Sequence, residues 1–154
     1  LNTLINHGER YKLNLGNEIR YSTNSNDLGS IKTKYERMLL NTSSIDKKYF
    51  DRVNEGLKSV MQGPLGRGYM GNILDPAGKT GTSESLYDSN KDGVVDTETY
   101  SKSFIGYAPY DDPKMSIVSI SPHISYKNGD YTYTSNVNKR IVSRICNIFF
   151  EIYK

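Results

Sequence analysis

The sequence predicts a mixed α/β (α+β) fold, an antiparallel sheet of about three strands packed by helices. Three observations carry this. Residues 77–84, Ala-Gly-Lys-Thr-Gly-Thr-Ser-Glu, follow a Gly/Pro-rich loop and read as a strand carrying a lysine and several hydroxyls. Two apolar stretches, Ser101–Ala108 and Met115–Ser121, flank the turn Tyr110-Asp111-Asp112-Pro113, the pattern of an antiparallel hairpin. Residues 45–61 and 137–152 repeat apolar side chains every three to four positions, the period of a helix with one buried face. The 154 residues suffice for one domain with a core, since a chain of that size buries roughly 70% of its unfolded surface.

The elements follow in order. Leu1, Leu4 and Ile5 share a helical face and Gly8 stands where a C-terminal cap belongs, so residues 1–8 read as the last turns of a helix. A chain that opens this way, without Met, reads as a fragment of something longer. Arg10–Arg20 alternate as a strand or hairpin arm (Tyr11, Leu13, Leu15), and Tyr21–Ser30 is a Ser/Asn/Gly loop. Met38-Leu39-Leu40 is a short extended piece. The clearest helix comes next, with Ser43 or Ser44 as its cap and Asp46 near its positive end. Ile45, Tyr49, Val53, Leu57 and Val60/Met61 form its predicted buried face, and Gly63-Pro64 ends it. Residues 63–76, with four glycines and two prolines, form an irregular loop feeding the Lys79 strand. The C-terminal helix is predicted to lie across one sheet face through Val137, Ile141, Ile145, Ile148/Phe149 and Ile152, capped by Ser135. Cys146 falls near that face and reads as inert core. No internal repeat is visible.

Composition excludes several function classes. Lys+Arg 20 against Asp+Glu 17, with the basic residues scattered, gives no nucleic-acid stripe. No apolar run approaches the ~18 residues of a membrane helix. A single cysteine rules out an internal disulfide. Thirteen tyrosines favour strands and half-buried surfaces.

Gly78-Lys79-Thr80 invites comparison with a phosphate loop. That motif needs a glycine at position 73, which is Ile; Pro76 interrupts the loop, and no apolar strand precedes it. The alternative is a Lys-Thr-Gly strand. Ala77–Glu84, then Phe104-Ile105-Gly106-Tyr107-Ala108-Pro109, then Pro113-Lys114-Met115-Ser116-Ile117-Val118, resemble the C-terminal part of a class B penicillin-binding protein, a D,D-transpeptidase that cross-links peptidoglycan. The resemblance extends to Asn6–Tyr11 and to the helix 45–61, and so to nearly the whole chain.

What the resemblance implies is consistent with the chemistry of the residues. Lys79 supplies positive charge beside the substrate carboxylate and the catalytic serine. The hydroxyls of Thr80 and Thr82 can hold that carboxylate, and Gly81 lets an acyl group lie close to the backbone. The N–H of Thr82 is the family's strand-borne oxyanion donor. Lys79 and Thr82 are therefore the candidate catalytic residues, and Thr80, Gly81, Thr82 and Ser83 the candidate substrate-binding ones. The implied partners are the peptidoglycan stem peptide, β-lactams and the remaining N-terminal part of the same domain, at the extracytoplasmic face of a membrane. No cofactor is expected for catalysis.

The family's nucleophile motif, S-x-x-K, and its S-x-N motif are expected upstream of Leu1. Ser44-Ile45-Asp46-Lys47 and Ser22-Thr23-Asn24 match the strings, but the first reads as a helix cap and the second lies in a polar loop. The isolated chain is accordingly expected to be inactive. A β-lactamase-like hydrolase or sensor and a noncatalytic calcium-binding domain stand as alternatives.

A second constellation follows the strand. Asp88, Asn90, Asp92 and Asp96 occupy positions 1, 3, 5 and 9 of a D-x-[DN]-x-[DN]-G loop, with Gly93 at 6 and the Val94 carbonyl at 7. The expected metal is a structural calcium ion at residues 88–99. Position 12 is Thr99 rather than a bidentate Glu, with Glu98 one residue early. His7 and His123 have no ligand-spaced partners and read as surface or capping residues. Met61 and Met70 read as packing, and Arg67 stands in the glycine loop within possible reach of the cleft.

Overall fold

The computed structural model describes residues 1–24, 28–71, 75–126 and 136–152. The chain divides into two units, Asn2–Phe50 and Asp51–Lys154 with Leu1.

The first unit holds α1 (Asn2–Ile5) and four short strands, β1 (Glu9–Tyr11), β2 (Glu18–Arg20), β3 (Ile31–Lys34) and β4 (Leu39–Thr42). They form two antiparallel pairs, β1 with β4 and β2 with β3. The end of α1 refines the cap expected at Gly8. Gly8 N–H donates to the Thr3 carbonyl at 2.8 Å and His7 N–H to Leu4 at 3.2 Å. With His7 at φ 50° and Gly8 at φ 100°, this is the two-bond closure of a Schellman motif, and His7 rather than glycine takes its left-handed position. The expected arm at 10–20 breaks in the middle. β1 stops at Tyr11, and Leu13 and Leu15 project into solvent. Leu39 and Leu40 are extended, as expected. The described part of the 21–30 loop contains no strand or helix, and residues 25–27 lie outside the described residues.

α2 (Lys47–Gln62) follows directly on Asp46. Asp46 Oδ1 accepts the Lys48 N–H at 3.1 Å and its carbonyl accepts Tyr49 N–H at 3.0 Å, so Asp46 is itself the cap. Ser43 Oγ accepts the N–H of Ile45 instead, at 3.2 Å. The buried positions of α2 are Asn54, Leu57 and Met61. Ile45, Tyr49 and Val53, expected on the buried face, are exposed. The apolar stripe is helical as expected; among the described residues its C-terminal positions Leu57 and Met61 are the buried apolar ones.

The second unit is built on a three-stranded antiparallel meander, β5 (Ala77–Tyr87), β6 (Thr97–Ala108) and β7 (Met115–Tyr126), in the order β5-β6-β7. The strands run further than the apolar patterning suggested. Polar residues 97–100 pair with 84–87, and β7 continues past Ser121 to Tyr126. The β6–β7 register slips between Tyr100 and Lys102, one residue facing three, a bulge that places His123 at φ 49°. The core gathers Met61, Tyr69, Met70, Phe104, Ala108, Val142 and Cys146, with Met115, Ile117 and Phe150 packed against it. Tyr69 stacks on Phe104 at a centroid distance of 4.5 Å.

α3 (Val137–Ile152) contacts β7 and β6. Its buried residues are Asn138, Val142 and Cys146, whereas Ile141, Ile145, Ile148 and Ile152 are exposed. The helix carries two apolar stripes, and the one chosen from sequence is the outer. The inner is broken by Asn138, whose amide oxygen accepts hydrogen bonds from Ser119 (3.2 Å) and Ser121. That pairing satisfies the amide oxygen, while the buried Nδ2 has no hydrogen-bond partner among the described residues. Cys146 is fully buried as expected, and burial pushes its thiol up to about 11. Ser135 lies outside the described residues. No described helix is long and apolar enough to cross a membrane.

Candidate functional site

The Lys79 strand is an edge strand: β5 pairs with β6 on one side and, among the described residues, with nothing on the other. Its burial changes along its length. Ala77 and Gly78 are buried, Lys79 is exposed, Thr80 and Gly81 are intermediate, and Thr82, Ser83 and Glu84 are exposed. The inner end is locked by packing. A methyl at Gly78 would lie 2.7 Å from the Ile105 carbonyl oxygen and 2.9 Å from the Phe104 ring. Ala77 pairs with Tyr107, which is 2% exposed, and burial raises its phenol to about 12.

A clasp fixes the approach to the strand. Asp75, at φ 42°, offers its carboxylate to Lys58 Nζ at 2.5 Å and its carbonyl to Tyr110 N–H at 2.8 Å. Lys58 also lies 4.4 Å from the centre of the Tyr110 ring. The bond to Asp75 raises the Lys58 pKa. Nothing in the spacing of these residues announces the clasp, because its parts come from a helix, a loop and a turn far apart in sequence.

The strand's pleat sorts its side chains. Cross-strand partners share a face, so Lys79 lies with Ile105 and Val118, and Gly81 with Ser103 and Ile120. Thr80 and Thr82 lie on the opposite face with Phe104 and Lys102. Lys79 Nζ donates to the Thr80 carbonyl at 2.6 Å, and Lys102 Nζ donates to Thr82 Oγ1 at 2.8 Å. The space a methyl would take at Gly81 is held by the Ser103 hydroxyl. The sequence residues 79–83 therefore sit together as an open edge bearing ammonium, hydroxyl and unhindered backbone. Lys102 was missed, since its partner is visible only once the register is known.

Further out, on the face of Lys79, a hydroxyl cluster ties the three strands. Ser85 Oγ lies 3.1 Å from Thr99 Oγ1 and 3.0 Å from Ser101 Oγ. The Thr99 hydroxyl donates to the Ser85 carbonyl at 3.0 Å and lies 2.8 Å from His123 Nδ1. Thr99 Oγ1 thus lies within hydrogen-bond reach of both neighbouring strands, Ser85 on one side and His123 on the other. His123 is exposed, as expected of a surface residue, and also fastens strands, with its ring 4.9 Å from that of Tyr87.

The acidic loop closes on itself. Asp88 accepts the N–H groups of Asp92 (3.2 Å) and Gly93 (2.9 Å), Asp92 accepts that of Val94 (2.8 Å), and Asn90 donates to Asp92. Gly93 takes φ 89°, the sharp turn expected of it. Among the described residues no three His, Cys, Asp or Glu side chains gather as a metal site would need.

The two accidental strings stay accidental in geometry. Lys47 opens α2 while Ser44 precedes the cap, so the pair is not one turn apart on a helix surface. Ser22-Thr23-Asn24 lies in loop. Arg67 donates to the Gln62 carbonyl at 3.4 Å, at the end of α2.

Comparison with known proteins gives this arrangement a family. The chain is 28% identical to penicillin-binding protein 2A of Bacillus subtilis (strain 168) across 99% of its length, and spans 21% of that relative. Penicillin-binding protein 2B from Streptococcus pneumoniae (strain R6) superposes with a TM-score of 0.74 at 23% identity, covering 97% of this chain and 23% of that one. The penicillin G acyl-enzyme complex of penicillin-binding protein A from M. tuberculosis superposes with a TM-score of 0.58 at 12% identity, covering 95% of this chain and 29% of that one. These likenesses establish the fold. The family model for the penicillin binding protein transpeptidase domain matches residues 1–147, and the chain belongs to that family.

Proposed function

We propose that Lys79–Ser83 is the substrate-holding half of a serine D,D-transpeptidase site whose nucleophile comes from a segment outside these 154 residues. Lys79 supplies charge next to the serine and the substrate carboxylate. Thr80 and Thr82 bind that carboxylate, Gly81 and Ser83 leave the backbone open to the peptide, and the Thr82 N–H receives the oxyanion. The serine oxygen would form an ester with the penultimate D-Ala carbonyl as the C–N bond breaks and D-Ala leaves with a proton. The amine of a second stem peptide would then displace the serine. Penicillin would stop at the ester, because its amine leaving group stays tethered. No cofactor is assigned to this chemistry.

The observation that carries the reading is the edge of β5 that no described strand pairs, exposed or half-buried from Lys79 outwards, in a chain of this family. A free edge can take an extended peptide as an added strand. The adduct in the tuberculosis relative supports a β-lactam as the probe. The setting would be the extracytoplasmic membrane face, with the rest of the transpeptidase domain as partner. Fluorescent penicillin should label the full-length protein covalently and leave the isolated 154-residue chain unlabelled; an adduct on the isolated chain would place the nucleophile within it. Rapid turnover of penicillin by the full-length protein would favour a β-lactamase-like hydrolase.

A structural calcium ion at residues 88–99 is a separate proposal. It rests on the alternating oxygen donors Asp88, Asn90, Asp92 and Asp96 with the Val94 carbonyl. It requires the Asp88 and Asp92 carboxylates to share an ion with the backbone N–H groups they already accept. A rise in melting temperature with calcium, absent in Asp88→Ala, supports it. No shift at about millimolar calcium, the weak end of such sites, sinks it.

A further inference from the structure

Building on the transpeptidase reading of Lys79–Ser83, we propose that Lys102 of β6 is a second cation of the carboxylate-holding edge and sets the direction of the Thr82 hydroxyl.

The register pairs Thr82 with Lys102, so the pleat puts both side chains on one face. Lys102 Nζ lies 2.8 Å from Thr82 Oγ1. An ammonium has donors only, so Thr82 accepts in that bond and its single hydrogen must point elsewhere. That orients the hydroxyl as a donor to an incoming anion, with the charge of Lys102 directly behind it. A charge-assisted bond of this kind is about twice as strong as a neutral one. Lys79 pairs with Ile105 on the opposite face. The edge therefore carries one lysine on each side of the sheet, three register steps apart, with Thr80 and Thr82 on the face of Lys102. A carboxylate placed on the edge meets positive charge from both faces. A lysine that merely solvated the strand would not need the Thr82 bond, and its loss would not depend on the charge of the ligand.

That dependence is the test. In the full-length protein, the second-order rate of acylation is measured for a penicillin with a free carboxylate and for its methyl ester. Lys102→Met keeps the aliphatic stem and removes the charge. It should slow the free acid about tenfold or more, the scale of one charged hydrogen bond, and change the ester rate little. Lys102→Arg should restore most of the loss. Thr82→Val should slow the free acid too, and adding Lys102→Met to it should cost less than in the wild-type background, because the two act through one bond. Equal slowing of acid and ester, or no slowing of either, overturns the assignment. Failure of penicillin to acylate the wild-type protein would instead sink the transpeptidase reading on which it stands.

Discussion

The two ends of the β5-β6-β7 sheet are held by different chemistry. At the inner end, Ala77, Phe104, Tyr107 and Ala108 are buried, and Met61, Tyr69 and Met70 close over the sheet. At the outer end, hydroxyls of Ser85, Thr99 and Ser101 join His123, and the 88–96 loop is closed by its own carboxylates. Apolar packing excludes water and fixes position. Polar bonds replace bonds to water, and each contributes little net stability. Lys79–Thr82 stands at the transition. It is anchored by a packed core on one side and open to solvent on the other, as the proposed binding edge on a firm scaffold requires.

Two glycines three residues apart give the sharpest test of that gradient. Gly78→Ala pushes a methyl against the Ile105 carbonyl and the Phe104 ring, and overpacking of this kind costs about 1–3 kcal/mol. Gly81→Ala meets only the Ser103 hydroxyl, which can rotate away, so its cost should stay under about 1 kcal/mol. Urea denaturation of both variants reads the difference. Equal costs would abolish the proposed boundary between locked and open strand.

Alkaline pH should loosen the inner end. Burial raises Cys146 from 9.0 to about 11 and Tyr107 from 10.0 to about 12. Both groups are neutral when protonated, and the unfolded chain loses their protons first. Their contribution is whole below pH 9.0, then falls as pH rises through 11 and 12. Melting temperatures across that range should fall less steeply in Cys146→Ala and in Tyr107→Phe than in wild type. Parallel curves would contradict the burial argument.

The smallest effect belongs to the outer end. Thr99→Val removes a hydroxyl that is 2% exposed and bonded to Ser85 and His123, and should cost about 1 kcal/mol. Amide exchange should accelerate at residues 84–87 and 97–101, leaving 77–79 and 104–108 protected. Acceleration throughout would mean that the two ends unfold as one.

The same gradient explains what the sequence revealed. The inner strands and both long helices were legible because burial imposes a period on apolar residues. The outer extensions of β6 and β7 were not, since strands such as Thr97-Glu98-Thr99-Tyr100 are polar and held by pairing alone. The helices misled in one respect. Each carries an apolar stripe that the described chain leaves exposed, as at Tyr49 and Val53 of α2 and Ile141 and Ile145 of α3. Periodicity identifies a stripe without identifying its partner, and Asn138 disguised the buried one. At the candidate site, local order singled out Lys79, Thr80, Gly81, Thr82 and Ser83 as candidates, and all five lie on β5. Lys102 and His123 act across strands, through a register and a bulge that no local pattern encodes.

The most direct measurement is penicillin acylation of the full-length protein carrying Lys79→Ala, set beside Glu84→Ala on the same exposed strand. The account predicts a loss of about a hundredfold or more for Lys79→Ala, the scale of removing one preorganised electrostatic partner, with Glu84→Ala near wild type. Wild-type acylation in Lys79→Ala would contradict the assignment of this edge as half of the active site.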